Sequence, residues 1–445
     1  MARKKVREAD GKRLVKKVLK QQAGLDVPIQ VVQLKELQGD DSGAPPPPAT
    51  IKAYYDQVLE ENLWLLDQPL VVKPDMLFGK RGKSDLVALN KSWDEVVEFV
   101  SARMGTELEV SGVKGRITTF IVEPFVPHDF EFYLCIQAHR AHELLSFGDC
   151  GGVEIESNWD RVRSVQVPVE ESLTEEMLEA VLIDVRDKGQ KAVLNRFINA
   201  AFQAFRDFDF TLLESNPLTI VPSTDKTGEL QVLPLDIRVE LDSYATFKNM
   251  QLWNDLEFPE AWGRSKIHEE KVVQNLDDKS GASLKLSVLN PRGHIWTMVA
   301  GGGASVIYAD TVVDLGWGDE LANYAEYSGN PKQEETYLYA RTLLSLATKY
   351  LDGKRRVIIV GGGVANFTDV AATFTGIIQA LKDFKGKLQE GKTKIFVRRG
   401  GPNYKAGLRL MQECCLEIDV PVEVYGPDTS MTKIVELGIE YLKGQ

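Results

Sequence analysis

From about residue 285 onward, the apolar positions repeat one grammar. A short continuous apolar run is followed by a glycine turn, and then by apolar positions at helical spacing. Four segments obey it: "HIWTMVAGGGASVIYAD", "RRVIIVGGGVANFTDVAATFTGIIQAL", "KIFVRRGGPNYKAGLRLMQEC" and "PVEVYGPDTSMTKIVELGI". Strand and helix alternating in this way predict an α/β domain with a doubly wound parallel sheet. Ligands of such sheets bind at the carboxyl ends of the strands, where the glycine turns fall.

From 51 to about 245 the pattern differs. Short β-branched runs ("LVVKPD", "ITTFIVEPFV", "FEFYLCI", "FTLLESNPLTIV") mix with long helical stretches such as 174–205. This is α+β texture without regular alternation. Residues 38–50, "QGDDSGAPPPPAT", read as a proline-rich loop in polyproline II. The pattern therefore divides the chain into domains 1–285 and 286–445. At the start, Leu14, Val15, Val18 and Leu19 sit at helical spacing among nine Lys/Arg in the first twenty residues. That predicts an amphipathic surface helix. Glu8, Asp10 and the lack of serine do not fit a transit peptide.

Composition narrows the classes. The 445 residues exceed one ordinary core, and 43% apolar with 27% charged is the balance of a soluble globular protein. Apolar runs are strand-sized, far below the roughly 20 residues of a membrane span. Net charge is −12, from 53 Lys+Arg against 65 Asp+Glu, which argues against a nucleic-acid partner. Cys135, Cys150, Cys414 and Cys415 form no CxxC pair, which fits a reducing compartment.

Within this acidic chain, "KIFVRRGGPNY" puts Arg398 and Arg399 between a strand and a glycine turn. Either they are solvated surface charges, or they form a guanidinium fork for an anion. "AGGGAS" and "GGGVAN" each lack the last glycine of G-x-G-x-x-G, having Val306 and Asn366 there. NAD is therefore not expected. The turns still let backbone N–H groups and helix N-termini meet an anion. Asn366 and Thr368 read as helix N-caps or as ligand donors. Together these features suit a carboxylate-rich ligand.

In the first half, Lys73 leaves a strand ahead of a basic glycine loop in "VVKPDMLFGKRGK", without Walker spacing. It reads as a phosphate clamp or as an ordinary loop lysine. In "LLESNPL", Glu214 and Asn216 at i, i+2 share one strand face, and Asp236 ends "VLPLD". Such oxygen donors suit Mg²⁺, or are ordinary strand-end polar residues.

Taken together, "LVVKPD…KRGK", "VEPFVP", "FEFYLCI", "GGVEIE" and "LESNPL…LD" resemble an ATP-grasp domain of the succinyl-CoA synthetase β type. "LNPRGHIWTMVAGGGASVIYADTV", "ANYAEYSG", "GGGVANFTDVAATF" and "FVRRGGPNY" resemble the ATP-citrate lyase family over nearly the whole length. The layout is that of the A subunit of a two-subunit enzyme of plants and algae. The resemblance implies an ATP-grasp domain followed by a Rossmann-like citrate-binding domain.

It also implies roles. Lys73, Arg81 and Gly82 would contact phosphates. The backbone of Pro124 and Val126 would read adenine, and Glu131 the ribose. Glu214, Asn216 and Asp236 would hold Mg²⁺, with Asp277, Ser280 and Ala282 as further contacts. Ser328, Gly329, Asn366, Thr368 and Arg399 would bind citrate. Gly363 stands where the resemblance admits a serine, one side-chain donor more.

The implied chemistry uses ATP, citrate and CoA to give acetyl-CoA and oxaloacetate through a phosphohistidine. The histidines here are His128, His139, His142, His268 and His294. None lies in a Gly-His-Ala-Gly type of loop, and His294 reads as structural with no base evident. No catalytic residue is therefore expected on this chain. The resemblance places the phosphohistidine, most of the CoA site and the lyase module on a B subunit. It implies a cytosolic hetero-oligomer, a hetero-octamer by the family pattern, with no membrane or nucleic-acid partner. Two rival readings are a succinyl-CoA synthetase-like ligase β subunit and a non-catalytic nucleotide-binding regulatory subunit.

Overall fold

A computed structural model describes residues 3–37, 46–79, 86–223 and 229–444. It divides into two compact units, Met1–Arg264 and Ser265–Gln445.

The strands of the first unit run β1 (Arg3–Lys5), β2 (Val32–Lys35), β3 (Leu70–Pro74), β4 (Ala88–Lys91), β5 (Glu107–Val110), β6 (Val113–Arg116) and β7 (Thr119–Pro124). They continue with β8 (Phe132–Ala138), β9 (His142–Gly148), β10 (Val162–Pro168), β11 (Phe210–Pro222), β12 (Leu230–Pro234) and β13 (Ile237–Asp242). Among the described residues the larger sheet has the order β1-β13-β11-β8-β9-β10, with β12 beside β11. A smaller sheet has the order β2-β7-β3-β4, and β5 and β6 pair alone. All pairings in this unit are antiparallel.

Each sheet carries its own core. Helix Lys188–Asp207 presents Leu194, Phe197, Ile198, Ala201, Phe202 and Phe205 at i, i+3, i+4 spacing to the larger sheet. Asp187 caps that helix, accepting from Gln190 N–H at 2.8 Å. The helical stretch expected over 174–205 is thus two helices, Glu175–Val181 and Lys188–Asp207. The smaller sheet packs on helices Pro48–Glu61 and Trp93–Ser101. The proline loop therefore ends earlier than expected, because Pro48 opens a helix at its first turn, where no N–H is needed.

The N-terminal helix, Glu8–Ala23, buries Leu14, Val15, Val18 and Leu19 as its spacing predicts. It is not simply a surface helix, since Glu8, Asp10 and Lys12 are buried too. Its N-cap, Arg7, gives no side-chain capping bond. Instead the buried Asp75, just past β3, accepts from Glu8 N–H at 2.7 Å and Ala9 N–H at 3.3 Å. A carboxylate from a remote strand thus satisfies the helix's first donors.

The second unit holds β14 (Ser283–Val288), β15 (Ile295–Ala300), β16 (Asn323–Ser328), β17 (Arg356–Gly362), β18 (Thr393–Arg398) and β19 (Val422–Tyr425). The sheet order is β14-β16-β15-β17-β18-β19. The strands from β15 to β19 are parallel, and β14 runs antiparallel on the edge. The four repeats appear as expected: β15, β17, β18 and β19 lead into helices Gly302–Asp314, Val370–Asp383, Tyr404–Glu417 and Lys433–Lys443. Burial of both faces explains why these strands read as unbroken apolar runs.

The boundary falls before residue 265, not after 285. Helix His268–Lys279 packs its Val273 in the second unit's core, and β14 extends that unit's sheet through β16. Successive strands build outward from β15 in opposite directions, to β16 on one side and β17 on the other. A topological switch point therefore lies between the carboxyl ends of β15 and β17.

Candidate functional site

At that switch point the chain builds a polar crevice edge around two buried arginines. Arg398 is 4% and Arg399 3% exposed, so neither is a solvated surface charge. Successive residues leave the strand on opposite sides. Arg398 donates to three carbonyls: Gly362 O, Pro427 O and Thr429 O, at 2.9, 2.9 and 3.0 Å. It staples the ends of β17 and β19. Arg399 donates from Nη1 to Gly363 O at 2.9 Å, and its Nε has no partner among the described residues. Neither arginine pairs with a carboxylate among the described residues. A buried cation normally has such a partner or a full set of acceptors. Arg398 has the acceptors; Arg399 has one.

The glycines between the strands are steric requirements. A Cβ on Gly361 would stand 2.6 Å from the Tyr308 ring, and one on Gly362 would land on the Arg399 guanidinium. Tyr308, in helix Gly302–Asp314, lies under this turn, and its hydroxyl is within 3.4 Å of Gly362 N. Burial pushes the Tyr308 phenol up. The Tyr327 phenol is likewise raised by burial, with the Arg399 charge opposing it.

Asn366 and Thr368 lie in the loop after β17, but neither is a helix N-cap. Helix Val370–Asp383 starts later, and its cap is Asp369, which accepts from Ala372 N–H at 2.9 Å. That bond is the first cause of Asp369's lowered pKa. The loop is stitched to the turn after β18 by Ala365 N–H to Gly400 O at 2.8 Å and Val370 N–H to Pro402 O at 3.1 Å. Between those stitches, Asn366 and Thr368 make no side-chain hydrogen bond among the described residues, so both keep their donors available.

Ser328 ends β16 and Gly329 follows it, at the same edge of the sheet. Sequence reasoning missed Glu326, two residues earlier on the same strand face. Tyr324 and Ser328 hydroxyls donate to its carboxylate at 3.3 and 3.2 Å. That carboxylate stands against Gly302 at the start of helix Gly302–Asp314. The alternation of buried Asn323, Ala325 and Tyr327 with Tyr324, Glu326 and Ser328 was the available signal.

Asp277, Ser280 and Ala282 were expected as further metal contacts. They lie on the second unit, whereas Glu214, Asn216 and Asp236 lie on the first. Asp277 already accepts from Leu284 N–H at 2.7 Å and pairs with Lys285. Ser280 accepts from Ala282 N–H at 2.9 Å, and Ala282 packs against Gly329. His294 is at the opposite, amino end of the sheet. It lies between Glu320, 2.5 Å from Nδ1, and Asp352, 2.9 Å from Nε2, so it has acidic neighbours that the sequence did not reveal.

In the first unit, residues 125–131 carry the chain from β7 in the smaller sheet to β8 in the larger. This is where the expected adenine hinge falls. Pro124 ends β7, Val126 packs on the larger sheet's core, and Val126 O accepts from His128 Nδ1 at 2.8 Å. His128 Nε2 lies 3.2 Å from Glu131. Glu131 opens on a cleft of about 420 Å³ lined also by His128, Asp149, Cys150, Gly151 and Arg161. Lys73 is buried at 6% exposure and reaches Glu8 at 2.8 Å, Glu123 at 3.0 Å and Leu235 O at 3.1 Å. Arg81 and Gly82 lie outside the described residues.

Glu214 and Asn216 are half-buried around the buried Ser215, as a shared strand face requires. Asn216 N–H donates to Asp236 O at 3.1 Å, and its side-chain oxygen accepts from Gly152 N–H at 2.7 Å. Glu214 takes the Tyr133 hydroxyl at 3.3 Å. Burial is the main cause raising the Tyr133 phenol and pushing the Cys135 thiol up to about 11. Among the described residues no three His, Cys, Asp or Glu side chains cluster as metal ligands. Glu214, Asn216 and Asp236 carry hard oxygens, the donor type taken by a cation that keeps water and phosphate oxygens as its remaining ligands.

Comparison with known proteins bears on both units. The ATP-citrate synthase ATP-grasp domain matches residues 2–253, and the ATP citrate lyase citrate-binding domain matches 264–441. An ATP-citrate synthase alpha chain of Arabidopsis thaliana is 51% identical over 442 residues, 99% of each chain. ATP-citrate synthase of Mus musculus is 45% identical over 384 residues, which is 86% of this chain but 35% of the mouse chain. A structure of ATP citrate lyase from Methanothrix soehngenii, in complex with citrate and coenzyme A, is 39% identical with a TM-score of 0.86. The match covers 99% of this chain and 100% of that one. With both units matched and a relative half identical from end to end, the chain belongs to the ATP-citrate lyase family, as a chain of the ATP-citrate synthase alpha type.

Proposed function

We propose that this subunit of an ATP-citrate lyase binds Mg-ATP on its first unit and citrate on its second. A partner B subunit then carries the phosphohistidine, most of the CoA site and the lyase step. The observation that carries the citrate reading is Arg399: a buried guanidinium with an unspent donor and no acidic partner among the described residues, behind a glycine turn. Asn366, Thr368 and the backbone of Gly329 supply further donors at the same sheet edge, beside Ser328, whose hydroxyl donates to Glu326. A carboxylate-rich anion suits that set. The similar Methanothrix protein is in complex with citrate.

On the first unit, Lys73 would contact the phosphates, together with Arg81 and Gly82. Glu131 takes the ribose, and the backbone around Pro124 and Val126 takes the base. Glu214, Asn216 and Asp236 would hold Mg²⁺, which neutralises phosphate charge when bound. The phosphoryl group of ATP passes to a partner histidine and then to a citrate carboxylate. The CoA thiolate displaces phosphate from citryl phosphate, and citryl-CoA splits into acetyl-CoA and oxaloacetate. The match to the mouse relative covers 35% of that longer chain. Among the described residues no helix is long and apolar enough to cross a membrane. The reading includes a cytosolic hetero-oligomer, with an octamer as the expected size.

Thermal stabilisation tests the ligand. Citrate should raise the melting temperature of the full chain, and succinate at the same concentration should not. Equal shifts would favour a succinyl-CoA synthetase-like ligase instead. Gly363 offers a second check. A Cβ there meets only Met431 Sδ, at 3.8 Å, and the backbone is not left-handed. Gly363→Ser should therefore fit without strain and add one donor, tightening citrate binding by about 2- to 10-fold. Weaker citrate binding in calorimetric titration would place the ligand elsewhere.

A further inference from the structure

The proposed function uses Lys73 but leaves a second buried lysine without a role. Lys12 is 1% exposed, on helix Glu8–Ala23, one turn after Glu8. Its ammonium reaches Glu8 Oε1 at 3.0 Å, Leu235 O at 2.8 Å and one oxygen of Glu123. Lys73 has the same three partners, taking the other oxygen of Glu123. The two lysines therefore stand as near-equivalents around two carboxylates and one carbonyl.

These groups come from elements far apart in the chain. Glu8 and Lys12 belong to the helix packed on the larger sheet. Lys73 and Glu123 belong to β3 and β7 of the smaller sheet, and Leu235 lies between β12 and β13. Glu123 directly precedes Pro124 of the hinge, and Leu235 directly precedes Asp236. The cluster thus joins both sheets at the point where the triphosphate and its metal are placed.

We propose that Lys12 is a positioning residue for Lys73, sharing Glu8 and Glu123 so that the Lys73 ammonium meets phosphate from a charge-balanced cluster. This rests on the reading of Lys73 as a phosphate-holding lysine. Among the described residues, two ammonium groups match two carboxylates with both lysines in place. Without Lys12, the same two carboxylates keep one of these two ammonium groups. They would then draw Lys73 inward and turn net negative charge toward the phosphates, with little solvent screening at this burial. Sequence could not show this, because an i, i+4 Glu-Lys pair on a basic helix reads as an ordinary solvated pair.

The test is calorimetric titration of MgADP and of citrate into the full chain. Lys12→Met should weaken MgADP binding by about tenfold or more and leave citrate binding unchanged. Lys12→Met combined with Glu123→Gln removes one charge of each sign, and should restore MgADP binding to within about threefold of wild type. Lys73→Met, measured in parallel, tests the underlying reading. If it binds MgADP like wild type, both that reading and this proposal fall. If Lys73→Met loses MgADP while Lys12→Met keeps it, the positioning role alone is overturned. If Lys12→Met loses both ligands, or the double variant is not rescued, Lys12 serves only to hold the fold and the proposal is overturned.

Discussion

Replacing Arg399 with alanine should weaken citrate binding by roughly 10- to 100-fold while Mg-ATP binding stays near wild type. A hydrogen bond to a charged group contributes about 1.5–3 kcal/mol, and each 1.4 kcal/mol is about tenfold. The chain carries −12 overall, so long-range attraction cannot hold a trianion and local donors must do it. Arg399→Lys should recover only part, since a point charge does not reproduce a planar fork. Arg398→Ala should behave differently. It strips donors from Gly362 O, Pro427 O and Thr429 O, at about 1–3 kcal/mol for each carbonyl left buried and unpaired. Its main effect should be a lower melting temperature, with any citrate effect following from the disturbed turn. A larger isothermal loss of citrate affinity at Arg398 than at Arg399 would overturn the assignment of the clamp.

The contrast between those two arginines shows what sequence can carry. Period-2 geometry separates their directions, but not their burial. Two of the three carbonyls that enclose Arg398 come from residues 427–429, brought in only when β19 pairs with β18. The parallel sheet itself was legible, because strands covered on both faces leave continuous apolar runs, and each glycine turn marks a carboxyl end. Asn366 and Thr368 were legible as loop donors. Neither caps the following helix, because backbone bonds to Gly400 and Pro402 prolong the loop to Asp369. The first unit was harder. Lys12, Glu8 and Asp75 look like surface charges in a basic or polar context, and are buried only because distant strands supply their partners. The domain boundary was misplaced for a similar reason. An antiparallel edge strand such as β14 lies outside the repeating strand–turn–helix grammar that marks the parallel sheet.

Asp236→Asn and Asn216→Ala should reduce phosphorylation of the partner subunit by roughly 100-fold or more, on the several kcal/mol a bound divalent cation supplies to phosphoryl transfer. Citrate binding by the same variants should not change. Asp236→Asn keeps the shape of the side chain and removes its charge, so it separates charge neutralisation from packing. Asn216→Ala also frees Gly152 N–H, which the amide oxygen accepts at 2.7 Å, so a small loss of stability should accompany it. Rapid-quench measurement of phosphohistidine formation checks both. Wild-type rates in both variants would remove these residues from the metal site.

The most direct measurement of the central claim is citrate-dependent acetyl-CoA formation, with and without the B subunit. The purified chain should bind Mg-ATP and citrate yet form no acetyl-CoA, and adding its partner should start steady turnover that requires ATP, citrate and CoA together. Sustained acetyl-CoA formation by this chain alone, or none when the partner is present, would contradict the division of labour argued here.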